Sequence, residues 1–182
     1  MLANCKLSCF KASAVDERVA QIESVFDLSA DDIDGNEFKF DNLRGKVTVV
    51  VNVASYCGYT ESHYKGLVEL YNTLKGTGRF ELLAFPSNQF GKQEPDTCPQ
   101  IKRFAEEKGA DFRMMYKIDV NGADTNIVYS YLKATAGPRH IKWNFATYFL
   151  ISPTGNILSH SGVEPMELKD EIEEILSNEE EL

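Results

Sequence analysis

The chain of 182 residues has no hydrophobic run that approaches the roughly 18 residues of a membrane span. Its first twenty residues also lack the continuous apolar core of a secretory signal, so we expect no signal peptide. Positive charge is scarce, since 19 Lys and Arg stand against 28 Asp and Glu, a formal net charge of −9. This balance predicts no nucleic-acid partner and at most transient contact with a membrane surface.

Cysteine is scarce as well, with four residues: Cys5, Cys9, Cys57 and Cys98. Four cysteines are too few for a disulfide-scaffolded fold of this length. The spacing of Cys5 and Cys9 is not followed by a second Cys or His pair, so we expect no metal site. The thiols are therefore expected to be reduced, as in a cytoplasmic protein.

The composition that remains is typical of a globular domain, with 43% hydrophobic and 26% charged residues. A chain of this length can bury a substantial core as one domain. Residues 1–20 show no clear period and are predicted to be a flexible N-terminal arm. Residues 21–177 are predicted to form the domain, and residues 178–182 an acidic tail.

The stretch 46–60, KVTVVVNVASYCGYT, is the centre of the predicted fold. Residues 46–53 are largely β-branched and apolar, which predicts a strand buried on both faces. A helix is predicted from 61 to about 75, so Cys57 falls in the turn between strand and helix. A helix N-terminus favours a thiolate and lowers a cysteine pKa, which would make Cys57 a nucleophile. The alternative is that Cys57 is a small packed hydrophobe, as most free cysteines are.

The remaining pattern predicts an α/β protein with a central mixed sheet flanked by helices and an N-terminal β-hairpin. The predicted strands are 24–28 and 37–40 as the first hairpin, 80–85, a short one within 112–120, and 145–152 with 156–160 as the second hairpin. The predicted helices are 100–108, 126–134 and 165–176. Because reactive groups gather at the carboxyl ends of parallel strands, the loops holding Cys57 and Pro86 should face each other.

Three ordered motifs carry a resemblance to a known family: N-V-A-S-Y-C-G-Y-T at 52–60, F-P-S-N-Q-F-G-K-Q-E-P at 85–95 and K-W-N-F at 142–145. In this order and spacing they resemble the glutathione peroxidases, a thioredoxin-fold family of thiol or selenol peroxidases. The resemblance covers about 25–176. It implies a thioredoxin fold and reduction of hydrogen peroxide and of organic or phospholipid hydroperoxides to water or alcohols.

The resemblance also implies a catalytic tetrad, with Cys57 as the peroxidatic residue and Gln89, Trp143 and Asn144 as its partners. A thiolate that attacks a peroxide becomes a sulfenic acid, so the site must stabilise a sulfur anion and then a leaving oxygen. Two amides and an indole are neutral donors that can do this without being titrated. Taken singly, Trp143 is equally readable as a core residue, and Gln89 and Asn144 as loop caps.

For the reducing half of the cycle, the resemblance implies glutathione or a thioredoxin-type protein and no bound cofactor. Many thioredoxin-dependent members have a resolving cysteine at the position of Ala105, which this chain lacks. Cys98, about two helical turns earlier, is the candidate resolving cysteine, and an exposed bystander thiol is the alternative. Lys142 is a candidate substrate-binding residue that offers positive charge to glutathione carboxylates or lipid phosphate, unless it only faces solvent.

The connection 136–141 is short and lacks the insertion that resembles a subunit contact in tetrameric members. The chain therefore looks like the monomeric, phospholipid-hydroperoxide type, and we expect a monomer. Two other functions stay open from the sequence. One is a redox sensor or relay in which oxidised Cys57 passes its oxidation to a client protein, and the other is an interaction module of the same fold without chemistry.

Overall fold

The structure is a computed structural model and describes residues 17–178. Within these residues it contains seven strands and four α-helices. The strands are β1 (Ser29–Asp31), β2 (Glu37–Lys39), β3 (Val47–Val53), β4 (Phe80–Pro86), β5 (Arg113–Met114), β6 (Thr147–Ile151) and β7 (Ile157–Ser161). The helices are α1 (Thr60–Leu74), α2 (Cys98–Glu107), α3 (Ile127–Thr135) and α4 (Lys169–Asn178). None of the helices in this part of the chain is long and apolar enough to cross a membrane.

A five-stranded mixed sheet in the order β5-β4-β3-β6-β7 forms the centre of the fold. Strand β3 pairs in parallel with β4 and antiparallel with β6, and every residue of β3 and β4 is buried. The register aligns Val53 with Pro86, so β3 and β4 end at the same edge of the sheet. The predicted central strand and mixed sheet are thus confirmed, because a continuous β-branched run suits a strand covered on both faces.

The two faces of the sheet bury separate apolar clusters. Val47, Val49, Val51 and Val53 of β3 pack with α1, α2 and α4, whereas Val50 packs with α3 and the N-terminal hairpin. This division follows from the alternation of side chains along a strand.

The N-terminal hairpin is present, but its first strand lies later than predicted. Residues Val25–Asp27 form a 3₁₀ turn, because the side chains of Ser24 and Asp27 make a capping box with the main chain. The strands that pair are β1 and β2. The turn between them is as expected, since the Asp32 carboxylate accepts hydrogen bonds from the N–H groups of Asp34 and Asn36, both at 2.9 Å.

The last predicted helix is divided in the structure into a 3₁₀ turn, Pro165–Leu168, and α4. Glu164 and Glu167 cap the 3₁₀ turn, which fixes its separate start. The other predicted elements are confirmed, with ends shifted by up to three residues. Residues 17–20, the described part of the predicted N-terminal arm, form turns. Val19 is buried there, and an Arg18 nitrogen donates to the Thr125 carbonyl at 2.9 Å. The rest of the arm, with Cys5 and Cys9, and tail residues 179–182 lie outside the described residues.

Candidate active site

Cys57 lies in the turn that joins the end of β3 to the start of α1, as predicted. Its N–H donates to the Thr60 hydroxyl at 3.1 Å, and that hydroxyl donates in turn to the Ala54 carbonyl at 2.6 Å. The Cys57 carbonyl accepts from the Thr60 N–H at 3.0 Å. These bonds fix the turn on both sides of the sulfur. Cys57 is 8% exposed, so it is nearly covered yet still reaches the surface.

The loop that follows β4 packs against this turn. The Tyr56 N–H donates to the Gln93 carbonyl at 3.0 Å, and the Ser87 N–H donates to the Val53 carbonyl at 3.0 Å. Both contacts join the carboxyl ends of two neighbouring parallel strands. The prediction that these two loops face each other is therefore confirmed.

Asn144 is fully buried and connects the turn, the loop and the segment before β6. Its Nδ2 donates to the Gln93 side-chain oxygen at 3.3 Å, and its Oδ1 accepts from Asn52 Nδ2 at 3.2 Å. The Phe145 N–H donates to the Asn52 carbonyl at 2.9 Å. Phe145 adopts a φ of +61°, a left-handed backbone that turns the chain sharply after Asn144.

Trp143 is 38% exposed and lies at the edge of a depression of about 380 Å³. Tyr59, His63 and Asn144 also line this depression. Tyr59 follows Cys57 by two residues, so the depression adjoins the Cys57 turn. The Trp143 ring also lies 5.8 Å from the Phe90 ring, which ties it to the loop after β4.

Gln89 is placed differently from its prediction. Its side-chain oxygen accepts from the N–H groups of Val120 and Asn121 at 2.8 and 2.9 Å, and its Nε2 donates to the Asn121 carbonyl at 2.8 Å. The amide is thus engaged by the turn that precedes α3. Gln89 and Lys142 line a second depression, of about 350 Å³, and both are exposed.

The glutamine that the structure brings to Asn144 is Gln93, four residues later in the same motif. Its main chain bonds the Cys57 turn and its side chain bonds Asn144. The structure thus brings Gln93, and not Gln89, to Asn144, and the role of either glutamine at Cys57 stays a prediction. The signal was present in the motif, which contains both glutamines, but spacing alone does not say which of them faces the turn.

Cys98 is the first residue of α2 and is 9% exposed. It belongs to the same apolar cluster as Cys57, and both thiols are free. The alternative of an exposed bystander thiol is therefore wrong, because the Cys98 side chain packs into the core. Whether it resolves Cys57 stays a prediction.

Two buried titratable groups lie beside the turn. Burial raises the pKa of the Glu94 carboxyl to about 7 from its usual 4.5, although Ser55 and then the Lys117 ammonium act to lower it. Burial lowers the pKa of His63, against the opposing effect of the Glu164 carboxylate 3.5 Å from its Nε2. His63 Nδ1 lies 2.5 Å from the Tyr148 hydroxyl.

In residues 17–178 there is no group of three or more His, Cys, Asp or Glu that is able to hold a metal ion.

The sheet order and flanking helices define a thioredoxin fold, shared with the solved structure of T. cruzi GPX1 at a TM-score of 0.69 and 34% identity. That match covers 85% of this chain and 97% of the other. The family model described as glutathione peroxidase matches residues 25–133.

Curated relatives agree with the family model. The glutathione peroxidase-like peroxiredoxin 2 of Saccharomyces cerevisiae is 45% identical over 161 residues, which cover 85% of this chain and 98% of the relative. The probable phospholipid hydroperoxide glutathione peroxidase of Mesembryanthemum crystallinum is 44% identical over 142 residues, or 76% and 82% of the two chains. This chain belongs to the glutathione peroxidase family and is a thiol peroxidase. The sensor or relay alternative is not favoured by these relatives.

Proposed function

We propose that the protein reduces hydrogen peroxide and organic or phospholipid hydroperoxides at Cys57. The Cys57 thiolate attacks one peroxide oxygen, the O–O bond breaks, and the sulfur becomes a sulfenic acid. The leaving oxygen takes up a proton and departs as water or an alcohol. The observation that carries this proposal is the convergence of Asn144, Trp143 and Gln93 on the turn that holds the only thiol at the start of α1.

The donors we propose are the side chains of Gln93, Trp143 and Asn144. They come from the loop after β4 and from the segment before β6, so two separate parts of the chain supply donors beside the turn that holds the sulfur. Neutral N–H donors fixed in a nearly buried site stabilise a developing anion more than mobile water does. Gln93 has its oxygen occupied by Asn144, which leaves its Nε2 hydrogens to donate.

The organic part of the hydroperoxide is proposed to occupy the depression of about 380 Å³ beside Trp143. Tyr59, Phe145 and Val163 give it apolar walls, and Tyr59 is 55% exposed at its mouth. An apolar, open cavity suits a bulky hydroperoxide. The name of the Mesembryanthemum relative supports a phospholipid hydroperoxide as one substrate. Lys142, exposed on the other side of Trp143, is proposed to attract phosphate or carboxylate groups.

The reductant is proposed to be glutathione or a thioredoxin-type protein. Cys98 would serve a thioredoxin-type cycle by forming a disulfide with Cys57, since both belong to one apolar cluster. A disulfide needs Cα atoms within about 7 Å, so the first turn of α2 has to open. Mass spectrometry after one equivalent of peroxide separates the two cycles. A Cys57–Cys98 disulfide indicates thioredoxin, and a glutathione adduct on Cys57 indicates glutathione.

Stopped-flow oxidation by hydrogen peroxide tests the site. Cys57→Ser should lose the reaction, and Gln93→Ala should slow it by about tenfold or more, because one anion donor is removed. Gln89→Ala is the matched control and should react at the rate of the parent. A Cys57→Ser protein that reacts as fast as the parent would refute the proposed function. A larger loss with Gln89→Ala than with Gln93→Ala would restore Gln89 to the site.

A further inference from the structure

Glu94 is a fully buried carboxyl in the loop that packs on the Cys57 turn. Among the described residues, no donor meets hydrogen-bond geometry with either of its carboxyl oxygens. The hydroxyls of Ser55 and Tyr64 are also buried without a hydrogen bond of normal geometry. Ser55 lies close enough to act on the pKa of this carboxyl through its side chain and its main chain, and Tyr64 feels the charge of the carboxyl. Native proteins rarely leave buried polar groups unpaired, so a cluster of three calls for an explanation.

The main chain of Glu94 is held firmly while its side chain is not. Its N–H donates to Asn88 Oδ1 at 2.9 Å. The Lys117 ammonium lies nearby, but it donates to the carbonyls of Glu94 and Asp96, at 3.4 and 2.6 Å, and to neither Glu94 carboxyl oxygen. The carboxyl is therefore buried without an ion pair, a setting that strongly favours its neutral form.

Two neighbouring residues connect the Glu94 carboxyl to the proposed reaction centre. Ser55, which lies close to this carboxyl, precedes Cys57 by two residues in the same turn. Gln93, its neighbour along the chain, bonds the Tyr56 N–H and the Asn144 amide. The other charged or titratable groups that act on Glu94 or feel its charge are Lys117, Asp96, Tyr56 and Tyr64.

We propose that Glu94 is a positioning residue that holds the Cys57 turn in its reactive form while its carboxyl is protonated and releases that form when it ionises. The proposal rests on the proposed function, in which Cys57 attacks the peroxide. A neutral carboxyl has a hydrogen to donate towards Ser55 and an oxygen to accept from Ser55 or Tyr64. An ionised carboxyl has no hydrogen to give and must draw in water, which disturbs the packing of the loop on the Cys57 turn.

The expected signature is an alkaline fall in the rate of peroxide reduction. Thiolate formation alone makes the rate rise with pH and then level off. Because the pKa of Glu94 is about 7, its ionisation should lower the rate above neutral pH. Because the turn then loses its reactive form, a fall of about threefold to tenfold is expected by pH 8.5.

The test compares Glu94→Gln with the parent in single-turnover oxidation by hydrogen peroxide from pH 5 to 9, followed by the fluorescence of Trp143, the one tryptophan. Glutamine is neutral at every pH, so the variant should lose the alkaline fall. Glu107→Gln, an exposed carboxyl at the end of α2, should keep the parent profile. An unchanged alkaline fall in Glu94→Gln overturns the proposal.

A second measurement uses only the parent protein, so it tests the proposal even if Glu94→Gln does not fold. Infrared titration of the folded parent should show one protonated carboxyl at pH 6 that is lost through neutral pH. Its absence at pH 6 also overturns the proposal. Failure of the proposed function gives a different result from failure of the Glu94 proposal. If the proposed function is wrong, Cys57→Ser reacts with peroxide at the parent rate, whatever the pH profile of Glu94→Gln.

Discussion

Asn52 orients Asn144, one of the donors proposed for the site. It is fully buried near the end of β3, and its Nδ2 donates to Asn144 Oδ1 at 3.2 Å and to the Trp143 carbonyl at 3.4 Å. Its own carbonyl accepts from Phe145. With its oxygen fixed by Asn52, Asn144 is oriented so that its nitrogen faces Gln93. A donor held in this way needs no reorganisation when charge develops.

Replacing Asn52 with Ala should slow the oxidation of Cys57 by about tenfold, because the Asn144 amide is free to rotate. Loss of the buried hydrogen bonds should also lower the free energy of unfolding by about 1–3 kcal/mol. Stopped-flow kinetics and urea denaturation measure the two effects. Asn42→Ala, at an exposed asparagine, is the control and should change neither. A destabilised Asn52→Ala protein with the parent rate would contradict the positioning role.

Which of the two glutamines bonds Asn144 was not predictable from the sequence. Gln89 and Gln93 lie in one eleven-residue motif, and both are amides on a polar loop. What separates them is tertiary contact, since the turn at 120–121 offers two N–H groups and a carbonyl to Gln89. Cys57 was easier to place, because a strand end and a helix start fix its surroundings, whereas Trp143 and Asn144 were predicted from the resemblance alone.

His63 gives a pH dependence of stability that opposes that of Glu94. Burial lowers the pKa of His63 in the folded protein below its usual 6.5, so the unfolded chain binds the proton first as the pH falls. Stability is therefore lost as the pH falls from about 6.5 towards the folded pKa. For Glu94 the raised pKa has the opposite sign, and stability is lost as the pH rises from 4.5 to about 7.

His63→Gln should remove the acid-side loss of stability, because glutamine does not titrate. Urea denaturation at pH 7.5, 6.5 and 5.5 measures this as a smaller fall in the free energy of unfolding than in the parent. His140→Gln, at an exposed histidine, is the matched control and should follow the parent curve. Parallel curves for parent and His63→Gln would show that His63 binds its proton equally in both states.

At the scale of elements, the first turn of α2 controls access to Cys98. The Gln100 side-chain oxygen accepts from the Thr97 N–H at 3.1 Å and from the Thr97 hydroxyl at 2.7 Å. Pro99 adds a backbone already set for a helix start. Cys98 is thereby fixed in the core, and we expect this turn to open before a disulfide with Cys57 forms.

Gln100→Ala should weaken the start of α2 by about 1 kcal/mol and speed formation of a Cys57–Cys98 disulfide by about fivefold. Gln100 is exposed, so the change leaves the core intact. Timed alkylation and mass spectrometry after one equivalent of peroxide measure the disulfide. Glu106→Ala, exposed on the same helix, is the control. If disulfide formation is as slow in Gln100→Ala as in the parent, opening of this turn does not limit it.

Sequence periodicity predicted the long elements and missed the short 3₁₀ turns. Strands β3 and β4 are largely apolar runs, so the sequence predicted their burial directly. The turns Val25–Asp27 and Pro165–Leu168 depend instead on side chains that bond the main chain two or three residues away. Such local bonds override a strand or helix pattern of three or four residues.

At the scale of the molecule, the strand order explains why three distant segments meet. Strand β3 lies between β4, parallel to it, and β6, antiparallel to it. The residues after β3, after β4 and before β6 therefore share one edge of the sheet, and these hold Cys57, Gln93 and Asn144. The sequence predicted from the parallel crossover that the segments after β3 and after β4 meet. The segment before β6 joins them because the second hairpin pairs with β3 through β6.

The outer surface of the sheet favours a single chain in solution. Leu158 is 50% exposed on β7, an edge strand of five residues in which Ser159 and Ser161 flank His160. One exposed leucine among polar neighbours is a small apolar patch, and a net charge of −9 adds repulsion between copies. We therefore expect light scattering to give the monomer mass of 20.5 kDa at micromolar concentration. Leu158→Lys should leave that mass unchanged, whereas a parent dimer that this substitution dissociates would show that β7 is an interface.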